Sequence, residues 1–349
     1  MPQADTAKRF DTLRRWAAEN HHLPIDACDL QLAAGDASFR RYFRLRLPDG
    51  TTRMLMDAPT PQEDSRPFVA IARRWRAAGL PVPGLHALDL DEGFIELDDL
   101  GDEPLQVRFH GDAEPDTLAW HDHALALVHE LQNRAGPHDL PTYDAPLLGR
   151  ELALFPEWCL GEWLGMTELP PCWNTLCEAL IDSALAQPVV TVHRDFDAMN
   201  LMVHRDGLYL IDFQDAVAGP ISYDPISLLR GRYCRFPPER FAAWIEAFRL
   251  QAIADGRLSS TTTTETFLHQ AQAMAAQRAL KVLGIFCRLT LRDGREGYLQ
   301  RLPHFLGHLE ESLAGLPDHE AFRDWLTTTF RPLLEARLMA AGIAPGARP

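Results

Sequence analysis

The first hundred residues combine amphipathic helices with the alternating apolar and polar positions that are typical of β-strands. Residues 1–20 predict a helix that carries charges of both signs, and a second helix is predicted from Pro67 to Ala78 by one apolar stripe. Turn residues bound the strand-like runs between and after these helices. The predicted strands are Phe39–Leu47, Thr52–Met56, Leu85–Leu90 and Gly93–Leu97. This part of the chain therefore predicts an antiparallel sheet with a helix packed on it.

Beyond residue 98 the apolar positions recur mostly at helical spacing. The predicted helices are 116–134, 149–164, 172–187, 222–234, 238–255, 262–288, 295–313 and 318–341. Three short β runs interrupt them, and these are Val189–Val192, Leu201–Val203 and Leu208–Ile211. We predict an α+β protein of two lobes, with residues 1–98 forming a small sheet lobe and 99–349 a mostly helical lobe, because 349 residues exceed one ordinary core.

Composition and charge exclude several classes of protein. The net charge is −15, and residues 99–349 carry 21 Lys and Arg against 34 Asp and Glu, which argues against binding nucleic acid. Apolar runs fall short of the roughly 20 residues of a membrane span, and the opening segment lacks the apolar stretch of a signal peptide. Six scattered cysteines without a C-x-x-C pair are expected to be reduced thiols. We expect a monomeric cytoplasmic protein without membrane or nucleic-acid partners.

A central stretch places polar residues at the ends of the three short β runs. Asp195 follows the first run, Asn200 precedes the second, and Asp212 ends the third. Phosphoryl transfer needs a carboxylate that positions and deprotonates an acceptor hydroxyl, together with oxygen ligands that hold Mg²⁺ against phosphates. We therefore predict an ATP-dependent kinase in which Asp195 is the catalytic base and Asn200 and Asp212 are the magnesium ligands. The H-x-D-x-x-x-x-N spacing alone is a weak signal, and the surrounding strands strengthen it.

These residues resemble the aminoglycoside phosphotransferase family, a branch of the protein-kinase-like fold. The motifs that carry the resemblance are His193–Asn200, Ile211–Ala216, Gly219-Pro220 and Tyr223–Leu228. The resemblance implies ATP and Mg²⁺ between two lobes, with the same roles for Asp195, Asn200 and Asp212. It also implies that Asp224 supports the catalytic loop.

Other segments are similar to a subset of that family, the bacterial anomeric sugar kinases. These segments are Gly35–Arg44, Met56–Pro59, Asp212–Ala216 and Lys281–Phe286. Such kinases phosphorylate the C1 hydroxyl of N-acetylmuramate and N-acetylglucosamine during peptidoglycan recycling. The resemblance therefore implies an amino-sugar substrate bound by the helical lobe.

The phosphate-binding residues depart from the family pattern. The family usually has a lysine on the strand that corresponds to Thr52–Met56 and an acidic partner on the next helix. Here that strand has no lysine, and the helix from Pro67 to Ala78 has no Asp or Glu. Because an arginine can bind phosphate oxygens through two donors, we expect Arg40 or Arg41 to contact the triphosphate. The alternative is a pair of solvated arginines on an edge hairpin.

The remaining predicted contacts concern the nucleotide and the sugar. We expect Ser38 in the glycine turn to bind ATP, and backbone groups of Asp98 and Leu100 to pair with adenine, although a solvated acidic turn is the alternative. Candidate sugar contacts fall on one predicted helix face or beside the catalytic motif. These candidates are Glu151, Trp158, Asp195, Asp197 and Arg230. An aromatic stripe on a helix is more often part of the core.

Two other functions fit parts of the sequence. A drug-modifying aminoglycoside kinase of the same fold would suit the acidity of residues 99–349, since its substrates are cationic. A pseudokinase scaffold that binds nucleotide would suit the absent lysine. The presence of Asp195, Asn200 and Asp212 together weighs against a scaffold, which needs neither a base nor metal ligands.

Overall fold

A computed structural model describes residues 3–35, 40–60 and 62–343. The chain divides into two compact units, which are Met1–Glu103 with Leu201–Asp215, and Pro104–Asn200 with Ala216–Pro349. The lobe boundary that we placed after residue 98 stays a prediction. No helix in the described ranges is both long and apolar enough to span a membrane.

The first unit is built on an antiparallel sheet of five strands in the order β1-β2-β3-β5-β4. The strands are β1 (Asp29–Gly35), β2 (Arg41–Arg46), β3 (Thr52–Asp57), β4 (Leu85–Asp89) and β5 (Phe94–Asp98). The four strands predicted from the sequence are present, while β1 is a further strand that its pattern did not reveal. The predicted turn after Gly35 lies outside the described residues.

Two helices accompany this sheet, α1 (Gln3–Asn20) and α2 (Arg66–Ala77). The alternation along β2 buries Phe43 and Leu45 in a core that also contains Leu13 and Leu55. The predicted antiparallel sheet with helices is therefore confirmed.

A hairpin from the central stretch completes the first unit. It consists of β7 (Leu201–His204) and β8 (Gly207–Leu210). Val203 donates a backbone hydrogen bond to Glu103 at 2.8 Å, and Leu210 donates one to Pro81 at 2.8 Å. Just after the hairpin, the buried Phe213 ring stacks on Phe68 with centroids 4.9 Å apart. The position of Asp212 is consequently determined by contacts within the first unit.

The second unit is mostly helical. Its helices are α3 (Pro115–Arg134), α4 (Ala145–Leu154), α5 (Trp173–Leu185), α6 (Tyr223–Leu229), α7 (Pro238–Ala254), α8 (Thr264–Leu291), α9 (Leu302–Ala314), α10 (Glu320–Trp325) and α11 (Arg331–Ala340). Two short strands, β6 (Val189–Val192) and β9 (Val217–Pro220), pair antiparallel below the catalytic loop. β9 was not predicted, because four residues that include Gly219 and Pro220 carry little strand signal.

The helix predicted over 149–164 changes geometry partway. It is α-helical to Leu154 and continues as a π-helix over Phe155–Trp163. Since a π-helix has more residues per turn than an α-helix, positions after Leu154 leave the face that α-helical spacing predicts.

The central helix α8 packs closely against the end of α4. A Cβ atom at Gly284 would lie 2.3 Å from the backbone carbonyl of Leu154, so only glycine permits this approach. Around this contact, Phe155, Leu283 and Leu306 belong to the large apolar core of the unit. This close packing gives a physical reason for glycine at position 284 within the Lys281–Phe286 segment.

Candidate active site

The catalytic loop connects β6 to β7 and is supported from below by Asp224. The backbone amides of His193 and Arg194 donate to the two Asp224 carboxylate oxygens at 2.7 and 3.1 Å. Burial raises the pKa of Asp224 to about 7, against the lowering effect of these two donors. Asp224 therefore supports the loop backbone, as the family resemblance implies.

Asp195 is presented to solvent by this loop, while the next side chain, Phe196, is fully buried. The Asp197 amide donates to the Asp195 carbonyl at 2.8 Å, and the Asn200 amide donates to the Asp197 carbonyl at 2.8 Å. These turns and the Phe196 anchor constrain the backbone on both sides of Asp195. Its carboxylate is accessible to an acceptor hydroxyl.

Asn200 is oriented by the same loop. Its side-chain nitrogen, Nδ2, donates to the Asp195 carbonyl at 3.0 Å. With the nitrogen engaged in this way, the amide oxygen is the atom left to bind a cation. Amide and carboxylate oxygens are suitable ligands for Mg²⁺, so Asn200 fits the metal-binding role that the sequence predicts.

Asp212 lies in the first unit and has a left-handed backbone conformation with φ of 61°. Its Oδ1 accepts a hydrogen bond from Gln214 Nε2 at 2.8 Å, and the side chain is 29% exposed. A non-glycine residue in this conformation is uncommon and is often found at functional sites. The accessible carboxylate fits the predicted magnesium ligand.

Arg40 forms a cation–acid pair with Glu63, although β3 has no lysine and α2 has no acidic residue. Its Nε and Nη2 donate to Glu63 Oε1 at 2.9 and 2.5 Å, and Nη1 lies 3.5 Å from Asp212 Oδ1. Arg40 is only 7% exposed. Although burial alone would lower the pKa of Arg40, Tyr42 and Glu63 raise it above the ordinary value. A permanently charged guanidinium therefore lies beside the predicted metal ligand.

Arg41 has a different environment. Its guanidinium forms an ion pair with Asp57, which is fully buried and also receives a 2.7 Å hydrogen bond from Arg9. Arg41 additionally stacks over the Phe43 ring, 5.5 Å from its centroid. We considered both arginines for the triphosphate. In the structure Arg40 lies beside Asp212, whereas Arg41 forms an ion pair with Asp57.

The segment predicted to bind adenine is held by ion pairs. Asp98 accepts hydrogen bonds from the Gly84 amide and from His86 Nε2, both at 2.7 Å, and its pKa is lowered, although burial opposes the effect of these donors. The Leu100 carbonyl lies 3.3 Å from His204 Nδ1. Within the described part of the chain, the Leu100 amide donates no hydrogen bond, so it remains available to a ligand. The predicted ATP contact Ser38 lies outside the described residues.

Glu151 lies in a buried ion network rather than on an open surface. It is 5% exposed and forms ion pairs with Arg194 at 2.7 Å and Lys281 at 2.9 Å, and Tyr143 donates a hydrogen bond to it. Although burial alone would raise it, Lys281 and Arg194 lower the pKa of Glu151 to about 2. The structure thus places Glu151 beneath the catalytic loop, where it holds the side chain next to Asp195.

Trp158 lies in the π-helical segment and is partly buried against the large core. Its predicted alignment with Glu151 assumed α-helical spacing throughout, which the structure does not have. The α-helical spacing that aligned these two side chains therefore does not apply, and their roles as sugar contacts stay predictions.

Asp197 and Arg230 are both buried and paired. Asp197, 7% exposed, forms a 3.0 Å ion pair with Arg232. Arg230, 4% exposed, pairs with Glu311 and stacks over the Phe241 ring at 4.2 Å. Their predicted roles as sugar contacts are also untested.

Two residues with evident importance were missed from the sequence. Glu63 was not predicted as the acidic partner because the family pattern places that partner on the helix from Pro67. Glu63 precedes this helix. Arg194, next to the predicted base, has a left-handed backbone with φ of 76° and is held by Glu151. The motif His193-Arg194-Asp195 indicates that Arg194 adjoins the base, but the sequence does not show that Arg194 pairs with Glu151.

An H-x-D-x-x-x-x-N loop between the short strands β6 and β7, in a chain that combines an antiparallel five-stranded sheet with a mostly helical unit, defines a phosphotransferase of the protein-kinase-like fold. The family model described as the phosphotransferase enzyme family matches residues 29–259. The chain belongs to this family and is a phosphotransferase, and membership implies the use of ATP and a divalent metal.

Three relatives have substantial sequence identity to the chain, and all are named N-acetylmuramate/N-acetylglucosamine kinase. The Pseudomonas putida protein is 40% identical over 91% of this chain and 95% of its own length. The Pseudomonas aeruginosa protein is 39% identical over 84% of this chain and 86% of its own. The protein from Neisseria meningitidis is 38% identical over 80% of this chain and 84% of its own.

Solved structures confirm the fold. A Ralstonia eutropha protein described as an aminoglycoside phosphotransferase has a TM-score of 0.61 at 17% identity and covers 88% of this chain and 98% of its own. A choline/ethanolamine kinase family protein from Mesorhizobium loti has a TM-score of 0.57 at 15% identity and covers 95% and 99%. These similarities establish the two-part kinase-like architecture that the sequence predicted.

Proposed function

We propose that this enzyme transfers the γ-phosphoryl group of ATP to the C1 hydroxyl of N-acetylmuramate and N-acetylglucosamine. The observation that carries the proposal is the 38–40% identity to three kinases named for these two sugars, over at least 80% of this chain. The reaction would give a sugar 1-phosphate and ADP. We place it in the cytoplasm, where ATP is available, as a step of peptidoglycan recycling carried out by a monomer.

In the proposed mechanism Asp195 accepts the proton of the C1 hydroxyl as its oxygen attacks the γ-phosphorus of ATP. The new P–O bond forms while the bond to the leaving β-phosphate oxygen breaks, and ADP carries the electron pair away. Positioning makes the largest contribution in such reactions. That positioning is supported by the hydrogen bonds from His193 and Arg194 to Asp224 and by the buried Phe196 anchor.

Asn200 and Asp212 would hold the divalent metal, which we propose to be Mg²⁺. The support is the chemistry of the donors, an oriented amide oxygen and an accessible carboxylate. When bound, Mg²⁺ supplies positive charge that offsets the phosphate oxygens of ATP.

The phosphate charge that a lysine usually offsets would here be offset by Arg40. Its charge is fixed by Glu63, and its Nη1 is close to Asp212, so the guanidinium is restricted to one place. An arginine can donate two parallel hydrogen bonds to phosphate oxygens. We propose in addition that the Leu100 amide pairs with the edge of adenine, and that Ser38 and the Asp98 backbone also contact the nucleotide.

A substrate screen tests the proposed function. The purified enzyme is incubated with ATP, Mg²⁺ and one of four acceptors: N-acetylmuramate, N-acetylglucosamine, glucose or kanamycin. Product formation is followed by ³¹P NMR, in which an anomeric phosphate is identified by its coupling to H1. We expect sugar 1-phosphates from the two N-acetylated sugars.

Other outcomes of the screen would contradict the proposal. Turnover of kanamycin alone would identify a drug-modifying kinase of the same fold. Nucleotide binding without ADP release in the presence of any acceptor would indicate a scaffold.

A further inference from the structure

Four arginines cluster next to the catalytic loop in the second unit, although residues 99–349 are acidic as a whole. They lie in the segment after α6 and in the short turn before α9. They are Arg230, Arg232, Arg235 and Arg301. Nearby negative charge stabilises guanidinium groups that lie close together, and within the described residues the ion pairs of this cluster come from Glu311 and Asp197.

Two of these arginines are balanced by a single carboxylate. Arg230 and Arg235 both pair with Glu311 on α9, the latter at 2.6 Å. Arg230 is nearly inaccessible at 4% exposure and stacks on Phe241. Arg230 is therefore held in place and is not available to a ligand, whereas Arg235 contacts Glu311 from a side chain that is 43% exposed.

Arg232 connects the cluster to the catalytic loop. Its Nε donates to Asp197 at 3.0 Å, and Asp197 in turn donates its backbone amide to Asp195. The side chain of Arg232 is 23% exposed, so part of the guanidinium faces solvent while Nε is engaged. A ligand atom bound to that face of Arg232 would lie close to the acceptor site that we propose at Asp195.

Arg301 has an incomplete set of partners. Arg301 makes a side-chain hydrogen bond with Tyr233, but its Nη1 is buried and makes none, and within the described ranges Arg301 forms no ion pair. Its guanidinium carbon lies 6.0 Å from the centroid of the Tyr233 ring. A buried charged donor without an acceptor is costly, which points to an anionic group that binds there.

Tyr233 supplies a neutral donor beside these charges. Burial and the negative charge of Asp197 raise the pKa of Tyr233 to about 12, so its hydroxyl stays protonated at neutral pH. Two guanidinium groups and one phenol hydroxyl are a donor set typical of carboxylate recognition.

We propose that Arg232, Tyr233 and Arg301 form a subsite for a carboxylate carried by the acceptor sugar. This inference rests on the proposed function and makes it more specific. N-acetylmuramate bears a carboxylate on a short lactyl ether, whereas N-acetylglucosamine does not, so the subsite gives preference to N-acetylmuramate. The same positive charge disfavours polycationic aminoglycosides.

The test measures kcat/KM of wild type and Arg301→Met for both sugars. We expect Arg301→Met to lower kcat/KM for N-acetylmuramate about 10- to 100-fold, the usual effect of losing a hydrogen bond to a charged group. The value for N-acetylglucosamine should stay within about threefold of wild type. Arg301→Lys should restore part of the preference. Arg292→Met, an arginine paired with Asp293 at an exposed helix end, is the matched control and should change neither value.

Two kinetic results would overturn the subsite: an equal loss for both sugars, or no loss for either. If Arg301→Met does not fold by circular dichroism, Tyr233→Phe removes one donor and should reduce only the N-acetylmuramate value.

Failure of the proposed function can be distinguished from failure of the subsite. If wild type phosphorylates neither sugar, calorimetry measures binding of N-acetylmuramate itself. Binding to wild type that weakens in Arg301→Met supports the subsite without the function. Absent or equal binding rejects the subsite.

Discussion

The Arg40 guanidinium donates two hydrogen bonds to a single carboxylate oxygen of Glu63, at 2.9 Å from Nε and 2.5 Å from Nη2. The pair is largely buried, with side-chain exposures of 7% and 18%. Buried pairs of this kind fix geometry more reliably than they add stability. The Arg40–Glu63 pair provides the first unit with an oriented cation, although β3 has no lysine.

Replacing Arg40 should weaken the binding of ATP. Arg40→Met is expected to raise KM for ATP about 10- to 100-fold, because a charge-assisted hydrogen bond to phosphate is lost. Glu63→Gln should have a smaller effect in the same direction, since it releases Arg40 without removing its charge. Initial rates at varied ATP and saturating sugar measure both changes.

Arg41→Met is the matched control for Arg40. Its loss leaves the buried Asp57 with Arg9 as its remaining ion-pair partner, so we expect lower stability with near-normal KM for ATP. Unchanged ATP affinity in both arginine variants would rule out either one as the phosphate-binding residue.

The distinction between these arginines could not be predicted from the sequence. Alternation along the predicted strand Phe39–Leu47 shows only that Arg40 and Arg41 point to opposite faces of the strand. Which arginine meets a carboxylate depends on Glu63, which lies in a loop, and on Asp212, which is distant along the chain. Contacts of loops and distant segments leave no periodic signal.

Asp195→Asn should remove the base while leaving nucleotide binding intact. General-base catalysis contributes about 10²–10⁴ in rate, so we expect kcat to fall by at least about 100-fold. ATP affinity, measured by fluorescence or calorimetry, should remain near wild type. A variant with near-normal kcat would refute the assignment of Asp195.

A matched control is Asp206→Asn in the turn between β7 and β8. Asp206 is exposed and has a φ of 61°, a conformation that Asn tolerates well. We expect its kcat to match wild type.

The ion network of Glu151 should make stability depend on pH. The pKa of Glu151 is depressed to about 2 in the folded protein, against 4.5 ordinarily, so its stabilising effect is present above pH 4.5 and is lost as pH falls towards 2. That effect amounts to about 3 kcal/mol at neutral pH. Glu151→Gln should thus be less stable than wild type at pH 7, and the difference should narrow as pH falls from 5 to 3.

Urea denaturation at several pH values measures this difference. Glu157→Gln, an exposed position in the neighbouring π-helical segment, serves as control and should follow wild type throughout. A gap between Glu151→Gln and wild type that stays constant from pH 7 to pH 3 would show that ionisation of Glu151 is not the cause.

Gly284 should be intolerant of any side chain. Because its Cβ would overlap the Leu154 carbonyl, Gly284→Ala is expected to destabilise the protein by about 1–3 kcal/mol or more. A Cβ atom at Gly149 on α4 would have no atom within 4 Å beyond its own helix backbone and chain neighbours. Gly149→Ala should therefore stabilise the protein by about 0.5–1 kcal/mol. Thermal unfolding of both variants tests the pair, and equal effects would contradict the proposed close contact.

The sequence predicted the class of fold and most of its elements, because sheet and helix periodicities are local. It failed where geometry departs from those periods, as in the π-helical segment Phe155–Trp163, where α-helical spacing no longer predicts which residues share a face. It failed also where a strand is short, as with β9. The catalytic loop was recognisable because its functional residues are close together in the chain, whereas Arg301 is far along the chain from Arg232 and Tyr233.

The hairpin of β7 and β8 has a consequence for how the protein is made. The first unit draws on residues up to 103 and again on 201–215, so the aromatic surface of Phe68 and Trp75 has no Phe213 to pack against during early synthesis. As the nascent chain leaves the ribosome, this surface must stay uncovered until residue 213 emerges. A fragment that ends at residue 103 would therefore be prone to aggregate. Chaperones that bind exposed aromatic surface would act on the nascent chain before residue 213 is synthesised.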